Sequence, residues 1–184
     1  SLGEAENPTY ALGNIETGQL VVIGDEDHFR ICTVRQGLAL GESLDSTIAL
    51  ERFISNAFHF AFKSNRYGFL TASIANAGLA MRISVWMHLP GLLLTEKWSE
   101  LLPLLVSMDI SVRGITGEES DMKAGMVQLS NRTSYGYSAS EITAKINRVV
   151  HLLHDYERDS LASLLRETKD KTFDYLKWMN VLEQ

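Results

Sequence analysis

Strand-like and helix-like segments follow one another along this chain without the regular alternation that builds a doubly wound α/β sheet. Residues 19–24 (QLVVIG) and 28–34 (HFRICTV) have the apolar and alternating patterns of two strands, which we expect to pair across an acidic turn. Further strands are predicted at 67–73, 82–89, 110–116 and 126–130. The sequence therefore predicts an α+β fold, in which helices pack on a mostly antiparallel sheet.

Apolar residues at helical spacing predict two helices in the first two thirds of the chain. The first covers 47–62 and follows a loop marked by Gly41 and Asp45. The second covers 96–108, and Pro103 near its middle predicts a kink or a break, because proline removes a backbone donor.

The last third of the chain is predicted to be helical. Ser138 and Glu141 form an S-x-x-E capping-box pattern, which is typical of a helix start. Apolar residues continue at helical spacing to Leu164, so we expect one long helix, followed by a shorter one from Thr172.

Composition limits the classes of partner. The chain has 184 residues, of which 45% are hydrophobic and 22% charged, as in ordinary globular domains. We assign residues 1–18 to a linker or an artificial remnant, and residues 19–184 to one domain.

The net charge of −6 argues against a broad nucleic-acid-binding surface, and the apolar runs are too short for a membrane span. With the single cysteine Cys32 and no signal-peptide pattern, we expect a cytoplasmic protein without nucleic-acid or membrane partners.

The sequence lacks the glycine-rich phosphate loops of P-loop and dinucleotide-binding proteins, and it has no metal-ligand motif. A polyphosphate would then have to be held by arginines, because the guanidinium group is always charged and can bind phosphate oxygens in pairs. Arg30, Arg82 and Arg113 each lie at a predicted strand–loop junction. Taken singly, each is better explained as an ordinary surface arginine, and its spacing in the sequence does not outweigh that interpretation.

Four ordered motifs carry a family resemblance. Gly24 to Arg30 read GDEDHFR, Gly68 to Pro90 read GFLTASIANAGLAMRISVWMHLP, Arg113 to Glu118 read RGITGE, and Leu129 to Asn131 read LSN. These resemble the N-E-E-D-H-L-R, G-Y-L-T-x-C-P-T-N-x-G-T-G-L-R-A-S-V-x-x-H-L-P, R-G-x-x-G-E and I-S-N motifs of the ATP:guanidino phosphotransferases, and most of all those of the bacterial protein arginine kinases. The resemblance extends over residues 19–165 and implies the glutamine synthetase-like fold of the guanidino kinase catalytic domain.

The resemblance also implies roles for individual residues. Glu26 and Glu118 would be catalytic residues that face the substrate guanidinium, and Ser73 and Asn76 would lie beside the substrate. The residues implied to bind the nucleotide are Arg30, Arg82, Ser84, Trp86, Arg113 and Gly117. The implied cofactors are ATP and Mg²⁺, and no residue of this chain is assigned as a metal ligand.

The chain departs from the family pattern at several positions. Ser73 replaces the cysteine, so a low-pKa thiolate would be lost, and Gly78 to Ala80 (GLA) replace the family's G-T-G. Asp25 replaces the first glutamate of N-E-E-D-H, and Trp86 is larger than the residues usual near the adenine, so that it either stacks on the base or fills the pocket. The family's N-terminal S-x-R-x-R segment does not occur in these 184 residues.

Two functions therefore remain open at this point. The first is phosphoryl transfer from ATP to arginine, with an arginine-containing protein as substrate. The second is a catalytically impaired domain that binds a regulatory partner protein. A homodimer is compatible with both, and we expect the isolated chain to be inactive or a weak enzyme.

Overall fold

The computed structural model describes residues 9–58, 63–114 and 125–169 of the chain. It divides into two compact units, Ser1–Ala80 and Met81–Gln184. Each unit contains a three-stranded sheet of its own.

The first unit contains a three-stranded antiparallel sheet in the order β1-β2-β3. The strands are β1 (Tyr10–Asn14), β2 (Gln19–Ile23) and β3 (Phe29–Thr33), and the predicted pairing of the second with the third is observed. Strand β1 lies within residues 1–18, for which the sequence predicts a linker. The apolar pattern that would predict a strand here is weak, because Gly13 has no side chain. The strand is stabilised instead by pairing with β2 along its whole length.

Helix α1 (Leu40–Phe58) packs against β3, and its start differs from the prediction. It begins seven residues before residue 47, so Gly41 and Asp45 belong to the helix and not to a loop. Both lie in its first two turns, where an acidic side chain is favoured by the helix dipole and an exposed glycine is tolerated. The Thr47 hydroxyl donates to the Thr33 hydroxyl over 2.8 Å and so joins the helix to the sheet.

A short hairpin and a tight loop complete the first unit. Strands β4 (Lys63–Ser64) and β5 (Gly68–Phe69) pair antiparallel, and a single 3₁₀ turn covers Ile74–Asn76. The strand predicted at 67–73 is therefore confined to two residues. The chain bends after β5 because Phe69 exchanges two backbone hydrogen bonds with Gly78 instead of continuing in a longer ladder.

The second unit contains a three-stranded antiparallel sheet in the order β6-β8-β7. Its strands are β6 (Ser84–His88), β7 (Ile110–Gly114) and β8 (Met126–Asn131), close to three of the predicted segments. The buried core of this unit is formed mainly by large apolar side chains: Leu89, Leu92, Leu105, Ile110, Leu129, Ile142, Ile146 and Leu153. Strand and helix residues both contribute to it, so helices cover one face of the sheet.

Helices α2 (Pro90–Leu94) and α3 (Trp98–Ser107) follow β6, and of the kink or break predicted at Pro103 the break does not occur. The helix continues through this proline. Pro103 and Ser99, whose carbonyl loses its usual donor, are both exposed, so water can replace the missing bond.

Helix α4 (Ala139–Lys169) is the long final helix, and its start is the predicted capping box. The Glu141 carboxylate accepts hydrogen bonds from the backbone N–H and the hydroxyl of Ser138, both over 2.7 Å, and the Glu141 N–H donates back to the Ser138 hydroxyl. The helix predicted from Thr172 lies outside the described residues. No described helix is long and apolar enough to span a membrane.

Candidate functional site

The acidic turn between β2 and β3 carries Glu26. The turn is closed by a hydrogen bond from the Gly24 N–H to the His28 carbonyl over 3.1 Å. Asp27 accepts a hydrogen bond from the backbone N–H of Ala72 over 2.7 Å, so the turn is tied to a loop distant in sequence. The Glu26 side chain is exposed to solvent in the middle of this turn.

Arg30 lies on β3, opposite Val22 of the neighbouring strand. Its guanidinium forms an ion pair with Asp25, with 2.6 Å between Nη1 and Oδ2, and its side chain remains 54% exposed. Asp25, at the position where the family pattern has a glutamate, is therefore an intramolecular partner of Arg30. An anionic ligand can still approach the exposed side of the guanidinium.

Ser73 and Asn76 lie in the loop that follows β5. The Thr71 hydroxyl donates to the Ser73 carbonyl over 2.7 Å, and the Asn76 N–H donates to the same carbonyl over 3.0 Å. Gly78 ends the loop, with a φ of 90°, and its N–H and carbonyl both bond to Phe69. Together with the Asp27 bond to Ala72, these contacts bring the loop and the acidic turn together within the first unit.

Two rows of side chains cross one face of the β6-β8-β7 sheet. Directly paired residues of antiparallel strands project to the same face, so Trp86, Gln128 and Arg113 form one row. Ser84 and Ser130 belong to the next row along the strands. Trp86 is 50% exposed, and Arg113 and Ser84 are exposed as well, so this face is open where the opposite face packs into the core.

Arg82 is held by two residues at the end of β8. Its Nη2 donates to the Ser130 hydroxyl over 2.9 Å, and Ser130 is 1% exposed. The buried Asn131 amide accepts from the Ile83 N–H over 2.8 Å and donates to the Met81 carbonyl over 3.0 Å. The backbone on both sides of Arg82 is therefore fixed, so the Arg82 side chain is attached to a rigid part of the chain.

The structure brings the predicted nucleotide residues of the second unit, Arg82, Ser84, Trp86 and Arg113, to one sheet. Arg30 belongs to the first unit, so its convergence with these residues stays a prediction. Glu118 and Gly117 lie outside the described residues, so the structure does not test their predicted placement.

Electrostatic effects in the first unit bear on Cys32, which follows Arg30 by two residues on β3. Burial raises the pKa of the Cys32 thiol, and the Arg30 charge lowers it by a smaller amount. The thiol is therefore neutral at physiological pH, as expected of a small core side chain. Among the described residues, no group of three or more His, Cys, Asp or Glu side chains could hold a metal ion.

Comparison with known proteins identifies the family. The C-terminal catalytic domain of the ATP:guanido phosphotransferases matches residues 7–160. The chain belongs to this family. Protein-arginine kinase from Geobacillus stearothermophilus is 34% identical over 157 residues, which cover 83% of this chain and 43% of the relative. The enzyme of the same name from Bacillus licheniformis is 33% identical over 149 residues, which cover 81% and 41% of the two chains.

Solved structures of guanidino kinases have the same fold. Lombricine kinase superposes with a TM-score of 0.74 at 22% identity, covering 88% of this chain and 44% of the other. The substrate-free duplicated taurocyamine kinase from Schistosoma mansoni gives a TM-score of 0.67 at 24% identity, over 81% and 19%. The predicted guanidino kinase fold of the glutamine synthetase-like class is thus confirmed. The chain spans less than half the length of the curated relatives it matches.

Two residues of this guanidino phosphotransferase domain carry structural roles that the sequence does not single out. Asp27 and Asn131 both lie within the quoted motifs, in E-D-H and L-S-N, next to residues with predicted roles. Each bonds to backbone that is 45 to 50 residues away. Their presence inside the motifs is the signal that could have drawn attention to them.

Proposed function

We propose that this domain transfers the γ-phosphate of ATP to the guanidinium group of an arginine in a protein substrate. Membership of the ATP:guanido phosphotransferase family and the protein-arginine kinases among its relatives support the proposal. The observation that carries it is the open face of the β6-β8-β7 sheet, where Arg82 and Arg113 project beside Trp86.

The phosphate half of the reaction falls to the arginines. Phosphoryl transfer depends on positioning and on neutralising charge over the phosphate oxygens, and guanidinium groups supply that charge at every physiological pH. Arg113 lies on one face of the sheet and Arg82 reaches the same face through its bond to Ser130, with Ser84 available for a further hydrogen bond and Trp86 for stacking on the adenine. Arg30 is the third arginine that the family resemblance implies for the nucleotide.

The acceptor half falls to the carboxylates. A guanidinium is protonated and its lone pairs are delocalised, so it attacks phosphorus only when it is oriented and loses a proton. We assign these tasks to Glu26 and Glu118, with Ser73 and Asn76 beside the substrate. In the balanced step a nitrogen–phosphorus bond forms, the bond from the γ-phosphorus to the bridging oxygen breaks, and one proton leaves the guanidinium for a carboxylate.

The open face of the β6-β8-β7 sheet suits a nucleoside triphosphate, because it offers fixed cations and an exposed aromatic ring. Mg²⁺ in nucleotide sites is usually held through substrate phosphates with only one or two carboxylates. When bound, it would neutralise negative charge on the phosphates. The residues of this chain bind and orient the two substrates.

The setting of the activity is also part of the proposal. We place the protein in the cytoplasm, with an arginine-containing protein as its partner, and a homodimer stays a prediction. The Geobacillus and Bacillus relatives bear kinase names, so they support an enzyme over a domain that only binds a regulatory protein.

Mass spectrometry tests the proposal. The purified chain is incubated with Mg²⁺ and ATP and an arginine-rich protein, and the product is analysed for acid-labile phosphoarginine. We expect product from the wild type and none from Glu26→Gln or Glu118→Gln. Glu42→Gln, at an exposed acidic position in the first turn of α1, is the matched control and retains the activity. Equal product from all four proteins would contradict the assigned roles.

A further inference from the structure

The Asp27 side chain joins the two segments of the first unit that carry predicted acceptor-site residues. The Asp27 carboxylate accepts the backbone N–H of Ala72, with 2.7 Å between Oδ1 and N, across 45 residues of sequence. Glu26 immediately precedes Asp27, and Ser73 immediately follows Ala72. The bond therefore fixes the backbone on one side of each site residue.

Each of the two segments is also held internally. The turn is closed by the hydrogen bond from Gly24 to His28, and the loop by the Thr71 hydroxyl on the Ser73 carbonyl over 2.7 Å. Two locally ordered segments move relative to one another only if the contacts between them open. A charge-assisted bond between a carboxylate and a backbone N–H is shorter and stronger than a neutral one, so it is suited to hold them.

We infer that Asp27 is a positioning residue for phosphoryl transfer, which fixes the Ser73 loop against the Glu26 turn. The inference rests on the proposed function. Asp27 does not itself touch the reacting atoms: it acts through the backbone of Ala72. Because a displacement of about 1 Å costs on the order of a hundredfold in rate, a bond that sets this spacing matters to catalysis.

Hydrogen exchange tests the bond itself. Asp27→Ala is compared with Asp27→Asn, whose amide oxygen can still accept from Ala72, and with the control Asp45→Ala at an exposed position on α1. We expect the Ala72 amide to exchange about tenfold faster in Asp27→Ala, in line with the loss of a bond to a charged group. The exchange rate of the Ala72 amide in Asp27→Asn should be close to that of the wild type. Unchanged exchange in Asp27→Ala overturns the inference.

Kinetics test the positioning role. In the phosphoarginine assay we expect Asp27→Ala to raise the KM for the arginine substrate or lower kcat, with kcat/KM reduced about tenfold to a hundredfold. The Kd for ATP should stay the same, and Asp27→Asn should recover most of the rate. Faster exchange with unchanged kinetics would overturn the positioning role alone. A wild-type chain that forms no phosphoarginine would overturn the proposed function, and the positioning role with it.

Discussion

Gly68 illustrates, at the scale of single residues, how tightly the loop near Ser73 is built. Its φ is +72°, and a Cβ at this position would lie 2.3 Å from the carbonyl oxygen of Gly78 and 2.8 Å from its Cα. Both atoms belong to backbone, which cannot move aside as a flexible side chain can. Glycine is therefore required here for two independent reasons.

We predict that Gly68→Ala destabilises the protein more than Gly37→Ala does. Gly37 has a φ of +73°, and a Cβ added there would meet nothing within 4 Å. Its substitution therefore isolates the cost of backbone conformation, about 1 to 2 kcal/mol. The overlap at Gly68 should add at least about 1 kcal/mol to that cost. Urea denaturation measures both variants, and equal losses would show that the Gly78 backbone yields freely.

Glu157 is a buried carboxylate that stabilises the start of α2. It is 7% exposed and accepts the N–H groups of Gly91 and Leu92 over 2.7 and 2.8 Å. We predict that Glu157→Ala lowers the free energy of unfolding by about 3 kcal/mol, because two buried N–H groups lose a charged acceptor. Glu157→Gln should lose less, since one oxygen remains. Asp159→Ala, at an exposed site two residues along, is the control, and a loss as large as that of Glu157→Ala would contradict the assignment.

At the scale of elements, the capping box of α4 gives the helix start a pH dependence. Hydrogen bonds from the Ser138 backbone and hydroxyl lower the pKa of Glu141 from its ordinary value of 4.5. A group with a depressed folded-state pKa stabilises the fold above its unfolded pKa, and this contribution is lost as the pH falls through the folded value. We predict that Glu141→Ala is less stable than wild type at pH 7 and that the difference vanishes in strong acid. Thermal unfolding followed by circular dichroism measures it, and a difference independent of pH would contradict the role of the charge.

Local patterns account for the elements that the sequence predicts well. The β2–β3 hairpin and the Ser138 capping box are set by neighbouring residues, so their signals lie within a few positions. The start of α1 is misplaced because Gly41 and Asp45 are turn residues by composition yet are tolerated in the exposed first turns of a helix. Of the kink or break expected at Pro103, the break does not occur, since water at this exposed position can replace the missing hydrogen bond.

The site is less predictable than the elements, because its geometry depends on contacts between distant parts of the chain. The motifs identify Arg82 and Arg113 as residues of interest, but only the strand register and the bond from Arg82 to Ser130 show that they share a face of the sheet. The bonds of Asp27 to Ala72 and of Asn131 to the backbone around Arg82 have no local pattern. Sequence spacing alone does not reveal such partners.

At the scale of the whole molecule, the chain spans less than half of its curated relatives, and it lacks the S-x-R-x-R segment. We predict that the isolated chain phosphorylates arginine more slowly than a complete protein-arginine kinase by roughly 10² to 10⁴. The two arginines of the S-x-R-x-R segment would each make a charge-assisted bond to a phosphate, and each such bond is worth about 1.5 to 3 kcal/mol. Initial rates of phosphoarginine formation by the two proteins, at equal concentration, measure the ratio. Equal rates would show that the remaining residues suffice.

The open face of the β6-β8-β7 sheet is central to the proposed activity, because we assign its arginines to the binding of a nucleoside triphosphate. Calorimetric titration of the chain with ATP and Mg²⁺ tests this most directly, with Arg113→Ala as the variant and Arg148→Ala, on an exposed position of α4, as the matched control. We predict that wild type and Arg148→Ala bind ATP alike and that Arg113→Ala binds at least about tenfold more weakly. Equal affinity in all three proteins, or no binding by the wild type, would contradict the assignment of this face to the nucleotide.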